Sequence, residues 1–117
     1  MLVVDSNVVS ANELTENLRD SGFEFDIATS GAEARNSMRT RRYGTVLVAT
    51  DLNVTDCLAG LRRMAPRTWI SVIISKPHRD ARRVAFQHGA DSLLAAPFAI
   101  EELTFRLSAF AHRSRPP

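Results

Sequence analysis

This 117-residue chain is expected to fold as a doubly wound α/β domain, five parallel strands with helices on both faces. Three observations predict it. Short, β-branched apolar runs alternate five times with amphipathic segments. The runs LVV (2–4), VLVA (46–49) and VII (72–74) are apolar at successive positions, as strands buried on both faces require. Chain breakers fall between the segments, at Gly22, Ser30-Gly31, Pro66 and Gly89.

Each element has its own signal. LVV opens the chain, and a polar turn leads to a helix over 8–21, with Val8, Ala11, Leu14 and Leu18 at helical spacing and Gly22 as its stop. FEFDIA (23–28) alternates like a half-buried strand. The segment 32–42 is a helix with Ala34 and Met38 inward, and 46–49 is the third strand. Asp56 is expected to cap a helix over 57–64 that Pro66 ends. ISVIIS (70–75), a helix over 79–89, SLLAA (92–96) and a helix over 100–112 complete the pattern. The domain is therefore expected over 1–112, with 113–117 as a tail or the start of a linker.

Composition narrows the function. The chain is 44% apolar and 24% charged, ordinary for a soluble domain. No apolar run is long enough to cross a membrane, and MLVVDSN lacks the basic start of a signal peptide. A lone cysteine, Cys57, excludes an internal disulfide and fits a reducing cytoplasm. The net charge of +2 comes from scattered arginines, so direct nucleic-acid binding is not expected. No glycine-rich loop follows the first strand, which counts against a nucleotide or flavin cofactor. His78, His88 and His112 lack metal-ligand spacing and are expected at the surface. Neither a Ser-His-Asp nor a Cys-His arrangement is present, so no enzyme activity is expected.

In doubly wound sheets the ligand site lies beyond the carboxyl ends of the strands, where strand order reverses. That directs attention to Asp5, Ser6 and Asn7, to Ala49 through Asp51, to Ser75 and Lys76, and to Ala96 and Pro97. The motifs around these positions are LVVDSN, Gly22-Phe23, Ser30-Gly31, GAD (89–91) and LLAAPF (93–98). In order and spacing the chain resembles the response-regulator receiver domain, the CheY-like family, along nearly its whole length.

The resemblance implies a phosphorylatable Asp at the end of strand three, an acidic pair after strand one that helps to hold Mg²⁺, a Ser or Thr after strand four and a Lys after strand five. Such a site works by positioning and charge neutralisation. Asp5 matches the first acid, whereas Ser6 replaces the second. Counting from Gly31 and back from Leu61-Arg62-Arg63 places Ala49 at the acceptor position, with Asp51 left as the alternative acceptor. Ala96 replaces the lysine, Asn53 the loop proline and Leu93 the strand-five aromatic. The Ser/Thr position falls on Ser75 or Lys76. Acceptor, second acid and lysine are missing together, so no catalytic residue and no metal or other cofactor is expected in a vestigial pocket of Asp5, Ser6, Ala49, Asp51, Ser75 and Ala96. Asp5 has the plainer reading of fixing the loop into the first helix. Cys57 is a packing residue or a redox sensor.

The expected role is a phosphorylation-independent receiver that signals through protein contacts, within a bacterial regulator whose output domain follows the tail. The resemblance places a protein partner or second copy on the face of helix four, strand five and helix five, through Arg82, Arg83, Asp91, Glu102 and Arg106. Arg79 adds to the charge at the start of helix four.

Overall fold

A computed structural model describes residues 1–49, 54–74 and 79–113. Five parallel strands, β1 (Leu2–Asp5), β2 (Asp26–Ala28), β3 (Thr45–Ala49), β4 (Trp69–Ile74) and β5 (Ser92–Ala95), form one sheet in the order β2-β1-β3-β4-β5. The helices are α1 (Val8–Leu18), α2 (Gly31–Thr40), α3 (Val54–Met64), α4 (Ala81–Gln87) and α5 (Ile100–Arg113), and a 3₁₀ turn over Arg19–Ser21 extends α1. This is the expected doubly wound, CheY-like architecture.

The sheet divides the core in two. On one face Leu2, Val4, Val46, Val48, Ile70 and Val72 meet Ala34 of α2, Leu58 and Leu61 of α3, and Ala81 and Ala85 of α4. On the other, Val3, Leu47, Ile73 and Leu94 meet Leu18 of α1 and Leu103 and Leu107 of α5. Consecutive strand residues feed opposite faces, which is why the strands read as unbroken apolar runs. Burying each leucine fully contributes about 1.5–3 kcal/mol.

Several expectations are corrected. β2 begins at Asp26 rather than Phe23, its ladder starting with Leu2 opposite Asp26. Phe23 and Phe25 instead pack onto the α1–α5 side of the core, their ring centroids 6.4 Å apart. Val8 is 52% exposed, since it sits in the first turn of α1, beyond the end of β1, while Ala11, Thr15 and Leu18 form the buried stripe. Asp56 is not a cap: α3 starts two residues earlier, at Val54, which places Asp56 in its first turn. His88 is half-buried rather than on the surface, with Nδ1 donating to the Val84 carbonyl at 2.8 Å at the end of α4. Gly22 and Gly89 follow their helices at φ 83° and 107°, the left-handed region that a stop glycine supplies.

Candidate functional site at the carboxyl ends of the strands

Strand order reverses at β1, which pairs with β2 on one side and β3 on the other, so the crevice lies beyond the ends of β1 and β3. Asp5 is the last residue of β1 and Ala49 the last of β3, and the two are register partners. Both follow a core residue of the α1–α5 side by two positions, Val3 and Leu47, so both side chains stand on that face.

Asp5 is buried, with 6% of its surface exposed. Its Oδ1 accepts from the Asn7 backbone N–H at 2.9 Å, which holds the turn out of the strand. Asn7 then caps α1, its side-chain oxygen accepting from the amides of Val9 at 3.0 Å and Ser10 at 3.2 Å. The sequence reading missed this cap, although an Asn ahead of the first apolar helical residue is its usual signal. Ser6 is exposed. Ala49 is half-buried against the α1–α5 side of the core. Ala96 directly follows β5 and donates its N–H to the Ile74 carbonyl at 2.8 Å, which brings the ends of β4 and β5 together. Asp51, Asn53, Ser75, Lys76 and His78, with the tail 114–117, lie outside the described residues.

The register brings one carboxylate, Asp5, beside the methyl group of Ala49. Among the described residues no group of three His, Cys, Asp or Glu side chains is placed to hold a metal.

Cys57 is half-buried between α2 and α3. Burial pushes its thiol above the ordinary range, against a smaller opposing pull from the Arg35 guanidinium. A redox sensor needs a stabilised thiolate, so packing describes Cys57 better.

The five residues expected at a partner surface divide. Arg82 and Arg83 of α4 are exposed, and Arg83 reaches Asp80 at 3.3 Å. Arg106 of α5 leans over β5, donating to the Leu93 carbonyl at 3.0 Å and the Ser92 hydroxyl at 3.2 Å, and pairs with Glu102 at 3.2 Å. Asp91 accepts from the Arg62 guanidinium and, at 2.9 Å, from the Ile70 backbone N–H. Arg62 also donates to the carbonyls of Gly89, Thr68, Pro66 and Ala65, so one guanidinium ties the end of α3 to the turn between α4 and β5. No sequence signal pointed to this clamp beyond the arginine itself.

Along residues 1–108 the chain matches the family model described as the response regulator receiver domain. The chain belongs to that family. PrrA of Mycobacterium tuberculosis, a transcriptional regulatory protein, is 32% identical to this receiver over 116 residues, which make up 97% of the chain and 50% of PrrA. The receiver thus spans about half the length of the curated relatives it matches. Two solved structures share the fold. HP1043, an orphan response regulator of H. pylori, is 26% identical with a TM-score of 0.80 over 94% of this receiver and 95% of that chain. An atypical orphan response regulator, described as having a phosphorylation-independent regulatory mechanism, is 25% identical with a TM-score of 0.81 over 95% of this receiver and 93% of that chain.

Proposed function

We propose that this receiver is atypical: it signals through protein contacts and takes no phosphoryl group at the end of β3. The observation that carries this reading is the pairing of Asp5 with Ala49 at the strand ends. Phosphoryl transfer to a receiver needs a carboxylate nucleophile, a metal and a cation to neutralise the developing charge. A methyl group at Ala49, Ser6 in place of a second acid and Ala96 in place of a lysine remove one element of each kind. Likeness to an orphan regulator with a phosphorylation-independent mechanism supports the same reading.

With the switch chemistry absent, regulation rests on what the domain touches. The face of α4, β5 and α5 takes a protein partner or a second copy, with Arg82 and Arg83 exposed for pairing across it and the Glu102–Arg106 pair at its rim. Transcriptional regulators among the relatives, and the half-length that the chain covers in them, support an output domain after residue 113 and a role in the cytoplasm.

A titration of the amide NMR spectrum with Mg²⁺ and beryllofluoride, on this chain and on Asp51→Ala, tests the reading. It predicts no saturable shifts at residues 5–7, 49–53 and 75–76. Saturable shifts that disappear in Asp51→Ala would make Asp51 a working acceptor and overturn it.

A further inference from the structure

We infer that the amino end of the sheet carries a second docking surface, built to take an acidic segment of a protein partner. The loops α2–β3 and α3–β4 emerge there side by side, since β3 and β4 are neighbours with Thr45 opposite Trp69. Arg39 in the last turn of α2, Arg41 and Arg42 in the first loop, Arg63 in the last turn of α3 and Arg67 in the second loop are all exposed at this end.

The loops are pinned to one another. The Thr68 hydroxyl donates to the buried Tyr43 carbonyl at 2.8 Å, and the Trp69 N–H donates to the Gly44 carbonyl at 2.9 Å. Arg62 holds the second loop from within through the carbonyls of Thr68 at 2.7 Å and Pro66 at 3.1 Å. The five arginines are therefore carried on a fixed backbone, which lowers the ordering cost of binding.

Their charge is largely uncompensated. Among the described residues Arg41 alone of the five has an acidic partner, Asp26 at 2.9 Å. Other acids of this end are Asp20 and Glu24 in the α1–β2 connection, at the margin beyond β1, and Asp91 in the α4–β5 turn, which Arg62 already engages. A depression of about 370 Å³ at this end is lined by Glu24 and Asp26 together with Arg41 and Arg42.

This arrangement suits spaced carboxylates better than a nucleic-acid backbone. Glu24 and Asp26 border the depression and repel a continuous row of phosphates, while an acidic peptide can direct its carboxylates to the arginines, which grip them with two N–H groups each. Among the described residues the exposed aromatic rings, Phe86 and Phe105, are carried by α4 and α5 and not by these two loops. The surface is separated from Asp5 and Ala49 by the length of the strands, so a partner bound here leaves the other end open.

Amide NMR titration of the whole chain with a short peptide carrying a glutamate at every third position, and in parallel with duplex DNA, tests the inference. Saturable shifts are expected at residues 39–44 and 63–69, with affinity falling about tenfold or more on going from low to high salt. Arg42→Glu combined with Arg67→Glu should weaken peptide binding about tenfold or more without moving the thermal midpoint, whereas Arg82→Glu on α4 should change it less than about twofold. Arg42→Gln and Arg67→Gln, singly, should give graded losses and serve in place of the double reversal if that variant unfolds. Shifts mapping elsewhere, an equal loss from Arg82→Glu, or tighter binding of DNA than of the peptide would overturn it.

Discussion

Asp5 and Ala49 face each other across the β1–β3 ladder, each the last residue of its strand, so a buried carboxylate stands beside a methyl group at the switch point of the sheet. Placing a second carboxylate there should be costly. In Ala49→Asp two acids would share a half-buried site, and like charges so placed oppose ionisation. The variant is expected to lose about 1–3 kcal/mol of stability at neutral pH, and Mg²⁺ should restore part of it. Thermal unfolding with and without Mg²⁺ reads the effect; unchanged stability would mean that position 49 does not face Asp5.

The Arg62 guanidinium serves four carbonyls and the Asp91 carboxylate. Arg62→Ala leaves those acceptors partly unsatisfied, for an expected loss of about 2–4 kcal/mol by denaturant unfolding. Gly89→Ala should be of similar size, because a Cβ there would lie 2.9 Å from the Arg62 side chain at a φ of +107°. The two losses should fall short of additive in the double variant, since both disturb one clamp.

The Tyr43 hydroxyl donates to Asp26, which also pairs with Arg41. Hydrogen bonding from Tyr43, with the Arg41 charge, holds the Asp26 carboxyl below its usual range. Burial first and the bond to Asp26 second push the Tyr43 phenol up. On acidification the unfolded chain protonates Asp26 before the folded one does. That stability is present above the ordinary aspartate value of about 3.9 and is lost as the pH falls from there through the folded value. In alkali the unfolded chain ionises Tyr43 first, so stability falls as the pH rises beyond about 10. Tyr43→Phe should weaken both dependences, as measured by denaturant unfolding across pH.

Cys57 should behave as a protected thiol. Burial raises its pKa, so the folded protein should react with a thiol reagent at neutral pH much more slowly than the unfolded protein does. Above about pH 9 the unfolded chain loses this proton first and stability should decline. Labelling of the folded protein as fast as the unfolded one would contradict the placement of Cys57 between α2 and α3.

The architecture was legible because buried parallel strands must be apolar on both faces, which stamps runs such as Val46-Leu47-Val48 on the sequence. Helix stops were legible where a glycine had to take a positive φ, at Gly22 and Gly89. The start of β2 was not, because Phe23 and Phe25 alternate like strand residues while the pairing depends on where β1 begins. The start of α3 two residues before Asp56 had a signal that was passed over, since Asn53 stands ahead of Val54 in the sequence. The Arg62 clamp joins groups up to 29 residues apart and ends mostly on backbone carbonyls, which carry no residue signature. The arginines of the amino end read as scattered charges, and only the adjacency of β3 and β4 gathers them.

The most direct test of an atypical receiver is incubation with Mg²⁺ and a small-molecule phosphodonor, followed by intact-mass measurement and borohydride trapping of any acyl phosphate. The account predicts no phosphoryl adduct on this chain. An adduct that maps to Asp51 and disappears in Asp51→Ala would contradict it.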